Sequence, residues 1–167
     1  KNEAFALISS RIKEQKSVTE FEVQQFIVKR FGEEDLTDDN EHPIVGVNEH
    51  PADPHFEPKA ENAYTIKPGD TVLIDLWARE QSERAIYYDI TWCGFVGQNP
   101  PAKYVEIFNI VVRARNAARD FIRRKMADNQ PCYGYQVDDA CRNVVKEAGY
   151  GDYFVHRTGH SIGHYVH

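Results

Sequence analysis

A single carboxylate interrupts the otherwise apolar run Val72-Leu73-Ile74-Asp75-Leu76-Trp77, and another sits inside Tyr87-Tyr88-Asp89-Ile90-Thr91-Trp92. Both runs are rich in β-branched and aromatic residues, which suit a pleated, half-buried surface. The residues between them, Ala78 to Ala85, are mostly polar. The first run and a longer one from Ile86 through Val96 are therefore predicted to pair as an antiparallel hairpin. Side chains alternate between the two faces of a strand. Asp75 then shares a face with Leu73 and Trp77, and Asp89 shares one with Tyr87 and Thr91. In a hairpin the two aspartates can face each other across neighbouring strands.

Burying an unpaired carboxylate is costly. Two held close together repel unless a cation lies between them or one stays protonated. Either aspartate alone is equally well explained by a buried salt bridge or a bond to a turn. As a pair, and with the histidines below, they are most simply explained by a divalent metal.

The rest of the chain alternates helical and extended patterns. Ala4, Leu7, Ile8 and Ile12 recur at helical spacing. Thr19 and Glu22 form a capping-box pattern ahead of the stripe Val23, Phe26, Ile27 and Phe31, and Gly32 stands where a C-terminal cap belongs. Ile44 to Val47 reads as a short strand, and Pro68-Gly69-Asp70 as a turn. Asn99-Pro100-Pro101 opens a long helix with the stripe Val105, Phe108, Val111, Val112, Ala118 and Ile122. A further helix has Asp138 and Asp139 in its first turn, the apolar positions Val137, Ala140, Cys141, Val144, Val145 and Ala148, and Gly149 as its stop. Paired helices beside antiparallel strands predict an α+β fold.

Histidines cluster in two places. His156, His160, His164 and His167 stand in the last stretch among glycines, a segment predicted as strand, glycine turn, strand. Histidine is the commonest protein metal ligand and handles protons near neutral pH. His160, inside Gly159-His160-Ser161-Ile162-Gly163, is the strongest of the four, while His164 reads as packing or solvent-facing. The loop from Asn48 to Pro58 carries His50 and His55. Asp53-Pro54 fixes the backbone ahead of His55. His50 has no such frame, and His42 reads as surface.

Composition narrows the options. The 167 residues carry a net charge of −6 without a basic block, which argues against a nucleic-acid partner. No apolar run approaches the ~20 residues of a membrane span. Cys93, Cys132 and Cys141 are odd in number and form no Cys-x-x-Cys pair, so reduced thiols in a cytoplasmic protein are expected, with Cys93 and Cys141 as apolar filler. The start at Lys1, straight into a helical pattern, and the stop at His167 predict a piece of a longer protein.

Three elements in this order resemble the pita-bread metallopeptidases, the family of Xaa-Pro aminopeptidase, prolidase, methionine aminopeptidase and creatinase. They are Pro54-His55 in a loop before the hairpin, Gly69-Asp70-x-Val72-Leu73-Ile74-Asp75-Leu76 followed by Asp89-Ile90-Thr91 and Gly94-Phe95-Val96-Gly97, and His156-Arg157-Thr158-Gly159-His160-Ser161-Ile162-Gly163 ending in Val166-His167. The resemblance covers most of the chain and is nearest to Xaa-Pro aminopeptidase or prolidase, whose style His156-Arg157-Thr158-Gly159-His160 follows. It implies that residues 1–167 are a truncated catalytic domain with a partial pita-bread fold. It implies two divalent metal ions, manganese first, with cobalt or zinc as alternatives. Asp75 would chelate one ion, Asp89 would bridge both, and His160 would bind the second. His55, His156 and His167 would line the substrate pocket and steady the transition state. The substrate would be a peptide, cleaved next to its N-terminal residue by a metal-activated hydroxide, and a homodimer would be an allowed assembly.

Two departures stand out. Asp75 and Asp89 are fourteen positions apart, more than is usual in the family, so the hairpin connector is expected to hold an insertion. The two glutamates that complete the family's site would lie beyond His167, so the chain by itself is expected to hold metal weakly and to be inactive. Three alternatives remain. One is a non-catalytic partner-binding module on the same fold. Another is a creatinase-like hydrolase that works without metal, and the third is a mononuclear zinc hydrolase of another fold.

Overall fold

The structure, a computed structural model, describes residues 1–166. They divide into two compact units: Lys1–Asn99 with the described residues from Ser161 onward, and Pro100–His160.

In the first unit, α1 (Asn2–Lys13) and α2 (Glu20–Glu33) accompany a four-stranded antiparallel sheet of β1 (Leu36–Thr37), β2 (Ile44–Val47), β3 (Thr71–Glu80) and β4 (Tyr88–Phe95). The capping box forms as predicted: the Thr19 backbone N–H donates to Glu22 at 2.7 Å, and the Glu22 N–H donates to the Thr19 hydroxyl at 3.2 Å. Gly32 does not stop the helix, which runs on to Glu33. The left-handed residue is Asp35, at φ 55°. β3 is central. It pairs with β2 (Val47 opposite Val72, Ile44 opposite Asp75), with β1 (Leu36 opposite Glu80) and with β4.

Alternation along β2 and β3 sends Val45, Val47, Val72, Ile74 and Leu76 to the helix side. There they are buried with Ala4 and Ile8 of α1 and Val23 and Ile27 of α2. Gly94 on β4 lets α1 come close, since a Cβ there would lie 2.7 Å from the Phe5 ring. The turn before β3 forms as predicted, with Gly69 at φ 97°. The ladder with β4 ends at Ala78 and Tyr88, so the connector covers residues 79–87, nine positions where the sequence suggested the eight of 78–85. Trp77 and Ala78 stay in the ladder opposite Asp89 and Tyr88, and Arg79 and Glu80 are held by β1.

In the second unit, α3 (Ala102–Ala127) and α4 (Gly134–Glu147) pack together through Ala114, Ala118 and Cys141. Gly149, at φ 84°, follows the last turn of α4, as its position in the sequence predicted. The predicted stripe of α3 is buried only in part, at Ala118. Ile110, Ala114 and Ala118 are buried, whereas Val105, Phe108 and Val111 are 39%, 46% and 57% exposed. Ala114 and Ala118, small and one turn apart, let α4 approach closely and so take the inner face from the bulkier residues. Among the described residues the histidine-rich segment forms no strand. It is irregular from Phe154 onward.

Candidate active site

The two aspartates do share one face of the β3–β4 hairpin, but they are not directly opposed. Asp75 pairs with Thr91 and Asp89 pairs with Trp77, so the carboxylates are diagonal neighbours. Such neighbours lie about 7–8 Å apart along an antiparallel pair. Thr91 Oγ1 donates to Asp75 Oδ1 at 2.7 Å, which orients that carboxylate. Both aspartates are half-buried rather than enclosed as the sequence predicted. The same row continues onto β2, where Ile44 flanks Asp75. Farther along this face, Trp77 and Tyr87 are buried against Val166, and the Tyr87 N–H donates to the Gly163 carbonyl at 2.9 Å. His164 Nδ1 lies 3.1 Å from the Ala85 carbonyl oxygen, so this histidine helps to fasten the segment. His167 lies outside the described residues.

The loop that follows β2 is tied down by a residue the sequence analysis passed over. Glu20, the first residue of α2, is fully buried. Its carboxylate accepts from the Val47 N–H at 2.6 Å and from the Tyr64 N–H at 2.6 Å, and His50 Nδ1 approaches it at 2.8 Å. A buried carboxylate must find donors, and here they come from both ends of the loop. The His50 ring lies between Phe56, at 4.1 Å, and Tyr64, at 3.9 Å between centroids. Gly46 stands on the same sheet face as Asp75, and a Cβ at Gly46 would lie 2.7 Å from Pro51 Cγ, so the turn His50–Ala52 folds back onto this face. His55 itself is exposed. Its N–H donates to Asp53 Oδ1 at 2.9 Å, which is the frame expected from Asp53-Pro54. His50 therefore does have a frame, contrary to the sequence reading. Its partner lies thirty positions away, and only the unfavourable burial of Glu20 at a helix start could have hinted at it. His42 is also partnered, with Nδ1 at 2.9 Å from Asp38 Oδ2.

In the second unit, His156 and His160 are exposed. The backbone ahead of His160 is held by α4. Asp138 Oδ1 accepts from the Thr158 N–H and from its hydroxyl, both at 2.7 Å. Arg142 donates to the carbonyls of Phe154 at 2.7 Å and His156 at 2.8 Å while pairing with Asp138 at 2.8 Å. The Arg142 guanidinium, with the two Thr158 donors, holds the Asp138 carboxyl well below the usual carboxylate range. α4 begins at Gly134, so Asp138 lies one turn deeper than predicted and faces this segment instead of capping the helix. Asp75 and Asp89 belong to the first unit and His160 to the second. Within neither unit, among the described residues, do three or more His, Cys, Asp or Glu side chains meet as a metal site requires. Cys141 is buried as expected, whereas Cys93 is half-buried and Cys132 exposed.

Known proteins fit this arrangement. The profile of metallopeptidase family M24 matches residues 1–167. A probable dipeptidase PepE from Mycobacterium tuberculosis is 35% identical over 124 residues, covering 74% of this chain and 30% of that protein. An Xaa-Pro dipeptidase from Lactobacillus delbrueckii subsp. lactis is 31% identical over 129 residues, with the same 74% and 30% coverage. The crystal structure of dipeptidase PepE from Mycobacterium ulcerans superposes with a TM-score of 0.75 at 30% identity, covering 99% of this chain and 40% of that one. The chain thus spans about 30% of the length of the curated relatives it matches, and its α+β architecture is part of the pita-bread fold. With a paired-aspartate hairpin, the ordered histidine elements and a family profile matching end to end, the chain belongs to metallopeptidase family M24.

Proposed function

We propose that the protein carrying this chain is a metal-dependent peptidase that cleaves next to an N-terminal residue, with Xaa-Pro peptides as its substrates. The observation that carries the reading is the common face of Asp75 and Asp89, with Thr91 orienting the first carboxylate. The similarity to a protein named Xaa-Pro dipeptidase supports the substrate class.

The residues suit the expected ions. Carboxylate oxygens with a single imidazole favour hard divalent cations, so manganese is preferred, ahead of cobalt and zinc. Asp75, Asp89 and His160 are the proposed ligands. When bound, the ions would supply water activation near neutral pH and polarise the scissile carbonyl. The chain's own side chains do the remainder. Asp75 and Asp89 present negative charge on one sheet face. His55, His156 and His167 would donate hydrogen bonds to the carbonyl oxygen as negative charge develops on it. Asp138 and Arg142 hold the backbone from Phe154 to Thr158, which leads into His160.

The test is hydrolysis of Xaa-Pro dipeptides and of longer peptides with an N-terminal Xaa-Pro, in the presence of manganese, by the protein that carries this chain and by its Asp89→Ala variant. Cleavage that requires metal and falls at least a thousand-fold in the variant is expected, on the order of the loss of a group acting directly in the transition state. Equal rates for the two proteins would sink the reading.

A further inference from the structure

The loop between β2 and β3 contains a second histidine that none of the proposed chemistry uses. His50 is largely enclosed, with its side chain 16% exposed. Nδ1 lies 2.8 Å and 3.0 Å from the two oxygens of the buried Glu20 carboxylate. One face of its ring stacks on Phe56, with centroids 4.1 Å apart and planes inclined by 27°. Phe56 is the residue directly after His55. His50 thus joins a fixed point, the first turn of α2, to the segment that carries the exposed His55. Within that segment the His55 N–H donates to Asp53 Oδ1 at 2.9 Å and the Phe56 N–H to the Asp53 carbonyl at 3.1 Å, and beyond His55 the chain is held again at the buried Pro58. These two bonds shape the turn but do not tie it to the sheet.

We infer that His50 is a positioning residue for His55. Its Nδ1 grips Glu20 and its ring holds Phe56, and together these set where the His55 backbone stands over the peptide-binding side of the sheet. This inference rests on the reading of His55 as a substrate-side donor. Gly46 supports the geometry, because the absence of a Cβ there lets Pro51, next to His50, lie against the sheet face that bears Asp75. An imidazole suits both tasks, since one ring atom bonds a carboxylate while the flat face stacks on an aromatic side chain. Displacement of a transition-state donor by a fraction of an ångström is enough to lower the rate tenfold or more.

The experiment uses two variants of the protein that carries this chain. His50→Asn keeps a donor near the Nδ1 position and removes the ring. Phe56→Leu removes the stacking partner and leaves His50 and Glu20 untouched, so it stands in should the first variant fold poorly. Hydrogen exchange is followed by mass spectrometry over residues 53–58, and kcat/KM is measured with an Xaa-Pro dipeptide and manganese. Exchange over 53–58 should quicken about tenfold while β3 and β4 keep their protection. kcat/KM should fall about tenfold, and that fall should vanish when either change is made in a His55→Ala background. Unchanged exchange over 53–58 in both variants would overturn the inference, as would a loss of activity that persists undiminished without His55. Faster exchange in a protein whose His55→Ala variant cleaves normally would keep the positioning role and remove the one proposed for His55.

Discussion

Thr91 Oγ1 donates to Asp75 Oδ1 at 2.7 Å across the β3–β4 ladder, so the strand that carries one proposed ligand also aims the other. The hydroxyl is a cross-strand partner, one residue row from Asp89. Groups that orient ligands in this way govern affinity more than stability.

Thr91→Val should accordingly weaken manganese binding about ten- to a hundred-fold. Thr91 is exposed and valine suits a strand, so stability should change by less than about 0.5 kcal/mol. Metal titration followed by calorimetry, together with urea unfolding, checks both halves.

Glu20→Ala should destabilise the fold by about 3–5 kcal/mol, the usual cost of removing one partner from a buried polar pair. The change strands the Val47 and Tyr64 N–H groups and His50 together. Glu20→Gln keeps one acceptor and should cost less. Urea denaturation curves of the two variants should separate clearly.

Gly46→Ala and Gly94→Ala offer a contrast. At Gly46 the new Cβ would meet Pro51 Cγ at 2.7 Å and its backbone nitrogen at 3.1 Å, so the turn itself must move. At Gly94 it would meet only the Phe5 ring, which can swing away. The first change should cost about 1–3 kcal/mol and the second less. Thermal unfolding midpoints measure the difference.

Asp138 should contribute to acid sensitivity. Its folded pKa is depressed, first by Arg142 and then by the Thr158 side chain and backbone. A depressed carboxylate adds stability that is present above its ordinary value of 3.8 and is lost as pH falls below that value toward the folded pKa. Between about pH 5 and pH 2, the stability of the unaltered protein should therefore fall more steeply than that of Asp138→Asn. Chemical unfolding across that range reads the slope directly.

The hairpin was legible because period-two alternation in Val72–Trp77 and Tyr87–Trp92 is a local property. Its register was not, since whether Asp75 faces Asp89 or Thr91 depends on how many residues the connector takes out of the ladder. The inner face of α3 was read only at Ala118, because Ala114 carries little hydrophobic signal although it lets α4 come close. The frame of His55 could be read because Asp53 is its near neighbour. That of His50 could not, because Glu20 precedes the loop by a whole helix and two strands. The α4 clasp on the histidine-rich segment was invisible for the same reason: Asp138 looks like an ordinary helix-start acid until Thr158 folds back to it.

One glutamate grips the chain both where it leaves β2, at Val47, and where it returns, at Tyr64. The stretch between those anchor points behaves as a cassette clipped into a fixed socket. Its exposed tip can change without moving either end, because one carboxylate holds both, while His50, Phe56 and the buried Pro58 keep their places.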